Sequence, residues 1–481
     1  MDRRARLLGA AVTAWSFVLA AAFTWIPGYW WDEAATVLMA GKPWEDFLAT
    51  MRDADAVHAA YYLLMRGWSE PFGLGTLSTR MLSALAVAGT SLVLFHLGRS
   101  SLSVRVGVIA GVLYPLVPAV VWAAGEARSF ALSALAAALV LLALVRALDR
   151  PGEMWRWVVM ALAIVVMGWT FLFALLGLPG ALLLVTRDQW RRHWRAILAA
   201  VGAGLAGTAP LVWFAAGQRG QVSWIPEIGT RDMFWTIAVN QYFRDELSFA
   251  LAFWPALAVG GLLAWRARGD HRRPLVAYAA SIAVPTLALA LSGPVLGTPL
   301  YVVRYLLFTA PALAMIGAIA LSRLSVPLLA ALMGAFLVFG AGPSLESRLD
   351  PLSKSSWLFA ADTLGTRSEP GDAMVAFSVH LTGARAIHPE ELGSMPLLNE
   401  TVGPEEAAAG IIPSDGGSLT DLVVPSDVKR IWYLSDSHSR YLGRSDIEAD
   451  LALLARQGFA PVWSSDPEGF QSLVIVLLER R

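Results

Sequence analysis

The chain has 481 residues, of which 56% are hydrophobic and only 15% charged, with 20 Trp and a mean hydropathy of +0.56. Soluble domains are roughly 45–50% apolar, so this composition excludes a soluble globular protein and points to a polytopic membrane protein. Lys plus Arg (37) balances Asp plus Glu (37), which gives no reason to expect a nucleic-acid partner, and the absence of Cys excludes disulfides, thiolate metal sites and cysteine nucleophiles.

A membrane-spanning helix needs about 20 apolar residues, and cytoplasmic loops collect Lys and Arg. The N-terminal run has a basic flank (Arg3, Arg4, Arg6) and an apolar stretch too long for a signal-peptide core, and reads as an uncleaved first span. Eleven spans are predicted, near 7–26, 77–98, 104–122, 129–147, 156–172, 174–186, 196–215, 249–265, 275–292, 304–321 and 325–341. A cytoplasmic N-terminus places Arg99 and Arg105, Arg150, the cluster from Arg187 to Arg195, the cluster from Arg266 to Arg273, and Arg323 on the cytoplasmic side. A single long helix across "WVVMALAIVVMGWTFLFALLGLPGALLLV" would put "RDQWRRHWR" outside, so that stretch reads as two short helices, the second broken near Gly177, Pro179 and Gly180.

This orientation sends the first loop (27–76), the "GEARS" turn (125–129), the loop 217–246, the connection 293–305 and everything after about 344 to the outer side. Within the first loop, "DAVHAAYYLLMRGWSEPFG" is amphipathic and reads as an interfacial helix or the lead into span two. Beyond residue 344, polar stretches such as "SEPGDA" and "HPEEL" separate the strand-like runs "AMVAFS", "RIWYLS" and "SLVIVLLE" from the helical "SSWLFAADTLGT" and "SDIEADLALLARQG". The predicted fold class is an α-helical polytopic membrane protein (1–343) with a small C-terminal extracytoplasmic α/β domain (344–481). No internal repeat is evident.

Four outward-facing motifs carry chemistry. In "PGYWWDEAAT", Trp30 and Trp31 hold a turn at headgroup depth, and Asp32 and Glu33 follow them. A carboxylate at that depth can take the proton of an attacking hydroxyl; the two side chains diverge by about 100° on a helix, so one serves as base and the other as its partner. In "DADAVHAAYYLLMRGW", Asp55 and His58 share a helix face that Tyr61 and Tyr62 continue with rings and hydroxyls suited to a sugar. In "GEARS", Glu126 and Arg128 either close the hairpin as an ion pair or offer Arg128 to a phosphate. Arg304, with Tyr305, stands at the outer end of span ten, where a snorkelling arginine is the plain alternative to an anion ligand.

These motifs, in this order, resemble the polytopic glycosyltransferases of the GT-C superfamily, in the branch of the protein O-mannosyltransferases and lipid A aminoarabinose transferases. The "DAVH…YYLLM" and "QVSWIP" stretches are most similar to actinobacterial mannosyltransferases. The resemblance implies a multi-helix membrane fold, Asp32 as catalytic base with Glu33 beside it, and a polyprenyl-phosphate sugar as donor, with mannose the sugar. Many relatives carry prolines after the histidine where this chain has Ala59 and Ala60, so fine specificity does not carry over.

Together these readings predict an inverting hexosyl- or pentosyltransferase of the plasma membrane, acting on an extracytoplasmic glycan, lipoglycan or protein. Asp32 is the base, and either Arg128 or Arg304 holds the donor phosphate, with His58 a further candidate. The alternatives are a transporter or flippase, or a polymerase or ligase, for lipid-linked sugars. A divalent cation at Asp32, Glu33 and Asp55 stays open.

Overall fold

The computed structural model describes residues 3–53, 55–222, 224–267, 271–354, 356–378, 381–399, 419–436, 445–465 and 473–481. The chain divides into two compact units, Met1–Trp25 with Asp55–Leu349, and Ile26–Ala54 with Asp350–Arg481.

The first unit is helical. Among the described residues, eight helices are long and apolar enough to cross a membrane: Arg3–Ala21, Thr76–Ser101, Phe130–Asp149, Arg187–Gly217, Leu247–Arg266, Arg272–Ala290, Val303–Leu321 and Val326–Ser347. A ninth candidate is the pair Val104–Leu116 and Pro118–Ala124, bent by 67°. The shorter apolar helices Met154–Thr170 and Leu172–Leu182 occupy the stretch expected to split, so each of the eleven predicted segments has a helical counterpart. The chain is a multi-pass membrane protein.

Local chemistry explains where the helices differ from the sequence expectation. The bend falls at Pro118, whose ring cannot continue the preceding helix. The helix Arg187–Gly217 begins nine residues before the apolar run because Thr186 and Gln189 form a reciprocal capping box. In the helices Val303–Leu321 and Thr76–Ser101, 78% and 72% of the most apolar 18-residue window is buried in the protein, whereas in Val326–Ser347 only 17% is. Thr76–Ser101 and Val104–Leu113 pack closely at Gly98 and Gly107, where a Cβ on Gly98 would lie 2.7 Å from the Gly107 Cα. Arg348 is buried at the end of the unit and donates to the carbonyls of Leu19, Ala20 and Ala22 (3.3, 3.2 and 2.9 Å) and of Val121. It thereby satisfies carbonyls that the end of the first helix leaves open.

The second unit is built on a four-stranded sheet of order β1-β2-β4-β3, with β1 Ala373–Phe377, β2 Arg430–Asp436, β3 Phe459–Ser464 and β4 Leu473–Arg480. β1 and β2 are parallel, and β4 runs antiparallel to both β2 and β3. Alternate residues feed two cores: Met374, Trp432 and Ile475 pack with the helices Ser356–Arg367 and Leu381–Ile387, and Val375, Tyr433 and Val476 with the helix Ile447–Arg456. β3 has no counterpart among the sequence-predicted strands, because Pro461 interrupts it. It is an edge strand with an irregular register at that point, where a proline is tolerated.

Residues 26–54, most of them from the loop after the first helix, belong to this unit and form two helices, Trp31–Gly41 and Trp44–Asp53.

Candidate functional site

The acidic pair lies in the first turn of the helix Trp31–Gly41, where the N-terminal dipole favours carboxylates. The backbone N–H groups of Glu33 and Ala34 donate to the Trp30 carbonyl at 3.0 and 2.9 Å. Glu33 is fully buried and its Oε2 stands 3.7 Å from the Lys354 ammonium, whereas Asp32 is only partly covered. Burial therefore separates the two acids: of the pair, Asp32 is the more accessible carboxylate.

In the membrane unit, Asp55, His58, Tyr62 and Arg128 form one chain of hydrogen bonds. Tyr62 donates to Asp55 Oδ2 at 2.8 Å, and Arg128 donates to the Tyr62 hydroxyl at 3.1 Å and to His58 Nε2 at 3.1 Å. A guanidinium only donates, so His58 Nε2 is the acceptor and the neutral ring carries its proton on Nδ1. Burial, and then the charge of Asp55, hold the Tyr62 phenol well above its usual range, so it stays a protonated donor. Asp55 sits with φ +58° at the entry to the helical turn Ala56–His58. Gln221 and Gln218 hold that entry by accepting from the backbone N–H groups of Asp55 (3.2 Å) and Ala56 (2.9 Å). Tyr61 is buried on the same helix, Ala59–Phe72.

The turn between the helices Pro118–Ala124 and Phe130–Asp149 carries Glu126, fully buried, and Arg128. Ser83 donates to the Glu126 carbonyl at 2.5 Å and fixes the turn. The Glu126 carboxylate acts electrostatically on Arg244 and Arg348, placing it among cations. Arg304 lies over the Trp224 and Tyr305 rings (5.4 and 5.7 Å), and Tyr305 meets Phe171 edge to face.

Arg244 is absent from the residues singled out by sequence. It stacks over Trp122 at 4.6 Å, and it and Asp245 both have left-handed backbones (φ +50° and +66°), a costly pair for residues other than glycine. Asp245 secures the turn by accepting from Trp235 Nε1 and Asn240 Nδ2, both at 3.0 Å. Arg244 is reachable by solvent yet ringed by protein. That surrounding protein pushes its pKa down, Glu126 and Asp245 push it up, and the like charge of Arg304 opposes it. Its sequence signal is the one used for Arg304: an arginine in a connection predicted to face outward, just before an apolar run.

Among the described residues no group of three or more His, Asp or Glu could hold a metal ion.

Residues 60–214 match the family model described as dolichyl-phosphate-mannose-protein mannosyltransferase. Among solved structures, the chain is similar to ArnT from Cupriavidus metallidurans bound to undecaprenyl phosphate, at 15% identity over 99% of this chain and 98% of that one, with a TM-score of 0.63. The chain has the GT-C glycosyltransferase fold. The Archaeoglobus fulgidus oligosaccharyltransferase in complex with Zn and sulfate shares it at 13% identity, over 96% of this chain and 72% of that one, with a TM-score of 0.51. The same archaeal enzyme, AglB, in complex with an inhibitory peptide and a dolichol-phosphate, gives 13% identity, 97% and 74% coverage and a TM-score of 0.50. No curated protein matches the chain by sequence. Within the chain, the stretch matching the mannosyltransferase family model holds Tyr61, Tyr62, Glu126 and Arg128, while the acidic pair, Asp55, His58, Arg244 and Arg304 lie outside it.

Proposed function

We propose that the protein is an inverting glycosyltransferase that moves a sugar, mannose in the family it resembles, from a polyprenyl-phosphate donor to a hydroxyl of an extracytoplasmic glycan, lipoglycan or protein. The observation that carries this reading is the gathering of arginines at the outer connections of the membrane unit. Arg244 and Arg304 act on each other as like charges, and each is seated on a tryptophan. Mutual repulsion of this kind is offset when an anion sits between the charges, and a prenyl-linked phosphate at the membrane surface is such an anion. ArnT in its complex binds undecaprenyl phosphate, and AglB binds a dolichol-phosphate, which supports the same class of donor here.

In the proposed reaction Asp32 takes the proton of the acceptor hydroxyl as its oxygen bonds to the anomeric carbon. The bond from that carbon to the phosphate oxygen breaks, and polyprenyl phosphate leaves with the electron pair. Arg128, Arg244 and Arg304 stabilise the charge that develops on the phosphate. His58, Tyr62 and Asp55 orient Arg128 through the hydrogen bonds described above.

The N-terminus is cytoplasmic and the second unit extracytoplasmic in this reading, as the distribution of arginines favours. With no native cysteine, Arg192→Cys and Ser368→Cys, both at exposed positions, report the orientation. In intact cells an impermeant thiol reagent labels Ser368→Cys and spares Arg192→Cys; the opposite pattern inverts the topology. The activity is tested on purified protein in nanodiscs by transfer from polyprenyl-phosphate sugars, with polyprenyl phosphate released in step with glycosylated acceptor.

A further inference from the structure

We infer that the C-terminal domain is a working part of the transfer machinery, with Lys354 and Gly383 acting as positioning residues for the helix that carries Asp32. The inference rests on the reading of Asp32 as the base and assigns to the α/β domain a role beyond that reading.

Three contacts fasten the segment 26–54 to residues of the C-terminal part of the same unit. The Gly28 N–H donates to the Pro351 carbonyl at 2.9 Å, fixing the approach to the helix. Three residues further along the C-terminal segment, the Lys354 ammonium stands 3.7 Å from the Glu33 carboxylate. On the other side, Trp31 and Ala34 press on the helix Leu381–Ile387 at Gly383, where a Cβ would lie 3.1 Å from the Trp31 ring and 3.3 Å from the Ala34 Cβ.

Asp32 lies between these anchors. Its preceding neighbour, Trp31, rests on Gly383, and its following neighbour, Glu33, is paired with Lys354. With both flanking side chains held by the C-terminal domain, the direction in which Asp32 points is set by that domain. The chemistry of the pair explains why an ion pair is used. Glu33 is fully buried, and a buried carboxylate persists only when a cation or hydrogen bonds compensate for its lost hydration. The Lys354–Glu33 pair therefore acts as a latch on the first turn, and the missing side chain at Gly383 lets that turn seat fully.

A structural staple with no bearing on catalysis would affect stability alone. The test separates the two on full-length protein in nanodiscs, measuring kcat and KM for a polyprenyl-phosphate sugar together with thermal unfolding. Lys354→Met is expected to lower kcat by about 10–100-fold while the donor KM stays within about twofold, because a small misplacement of a reacting group costs rate on this scale and the proposed donor cations lie in the other unit. Lys354→Arg keeps the charge and recovers most of the rate. Glu33→Gln/Lys354→Met removes the pair as a whole and costs no more than Lys354→Met alone, as expected of residues acting as one unit. Gly383→Val lowers kcat in the same way without altering any charge.

Wild-type kcat in Lys354→Met, multiplying losses in the double variant, or a change confined to KM would each overturn the inference. If Lys354→Met does not accumulate as folded protein, the double variant decides: lowered kcat at unchanged donor KM supports the latch, and wild-type kcat removes it. Asp32→Asn in the same assay keeps the two failures apart. Full activity there overturns Asp32 as base, whereas an inactive Asp32→Asn beside a fully active Lys354→Met overturns the positioning role alone.

Discussion

Asp32→Asn is expected to lower kcat for sugar transfer by about 10²–10⁴-fold, the usual share of general-base catalysis, with donor affinity and thermal stability close to those of the wild type. The substitution keeps the size of the side chain and much of its hydrogen bonding, and Asp32 is only partly covered, so its charge is lost at a position still open to water. Glu33→Gln behaves differently. Glu33 is buried beside Lys354, and neutralising it removes one charge of a close ion pair, so its effect falls partly on stability, with a smaller loss of rate than Asp32→Asn. The readouts are initial rates of transfer, donor binding and thermal unfolding on the same preparations. A loss of rate in Glu33→Gln as large as expected for Asp32→Asn, with Asp32→Asn fully active, would move the base by one residue.

The second large effect is expected at Arg244. Arg244→Gly should lower kcat/KM by about 10²–10³-fold, or about 2.7–4 kcal/mol, the scale on which loss of one transition-state charge contact is felt. Glycine suits this test because the Arg244 backbone has φ +50°, which glycine adopts without strain; the turn is preserved or eased while the guanidinium is lost. Arg244→Lys restores a charge but not the planar fork, and is expected to recover only part of the rate. Salt-independent, undiminished activity in Arg244→Gly would remove the residue from the proposed phosphate site and leave Arg128 and Arg304 as its cations.

Much of the fold is legible in the sequence because the bilayer imposes a length and a polarity that composition records directly. The segments expected from apolar runs have helical counterparts, and the strands of "AMVAFS", "RIWYLS" and "SLVIVLLE" form where their apolar residues feed both faces of a sheet. What escapes is set by contacts distant in sequence or by local exceptions. The 67° bend at Pro118 falls inside an apolar run that reads as one span, and the capping box at Thr186 extends a helix through a charged stretch. The association of residues 26–54 with the C-terminal domain depends on Pro351, Lys354 and Gly383, more than 300 residues away.

The candidate site shows the same division. His58 and Tyr62 are one helical turn apart, which brings their rings together, whereas Asp55 reaches Tyr62 from a left-handed position before the helical turn. Their junction with Arg128 comes from packing. Asp32 and Glu33 are adjacent, so sequence assigns them equal standing; burial and Lys354 distinguish them. Arg244 carries the same sequence signal as Arg304, but its surroundings of Trp122, Glu126 and Arg304, none of them near it in the chain, come from packing.

The most direct measurement of the central claim is sugar transfer by the purified chain in nanodiscs, supplied with polyprenyl-phosphate sugars and with an extract of cell-envelope acceptors, and followed by mass spectrometry of both lipid and product. Wild-type protein is expected to release polyprenyl phosphate in step with an acceptor that gains one sugar of inverted anomeric configuration, and Asp32→Asn is expected to release almost none. Wild-type protein that leaves every polyprenyl-phosphate sugar intact, or that moves the intact lipid-linked sugar across the membrane without breaking its bond to phosphate, would contradict the account.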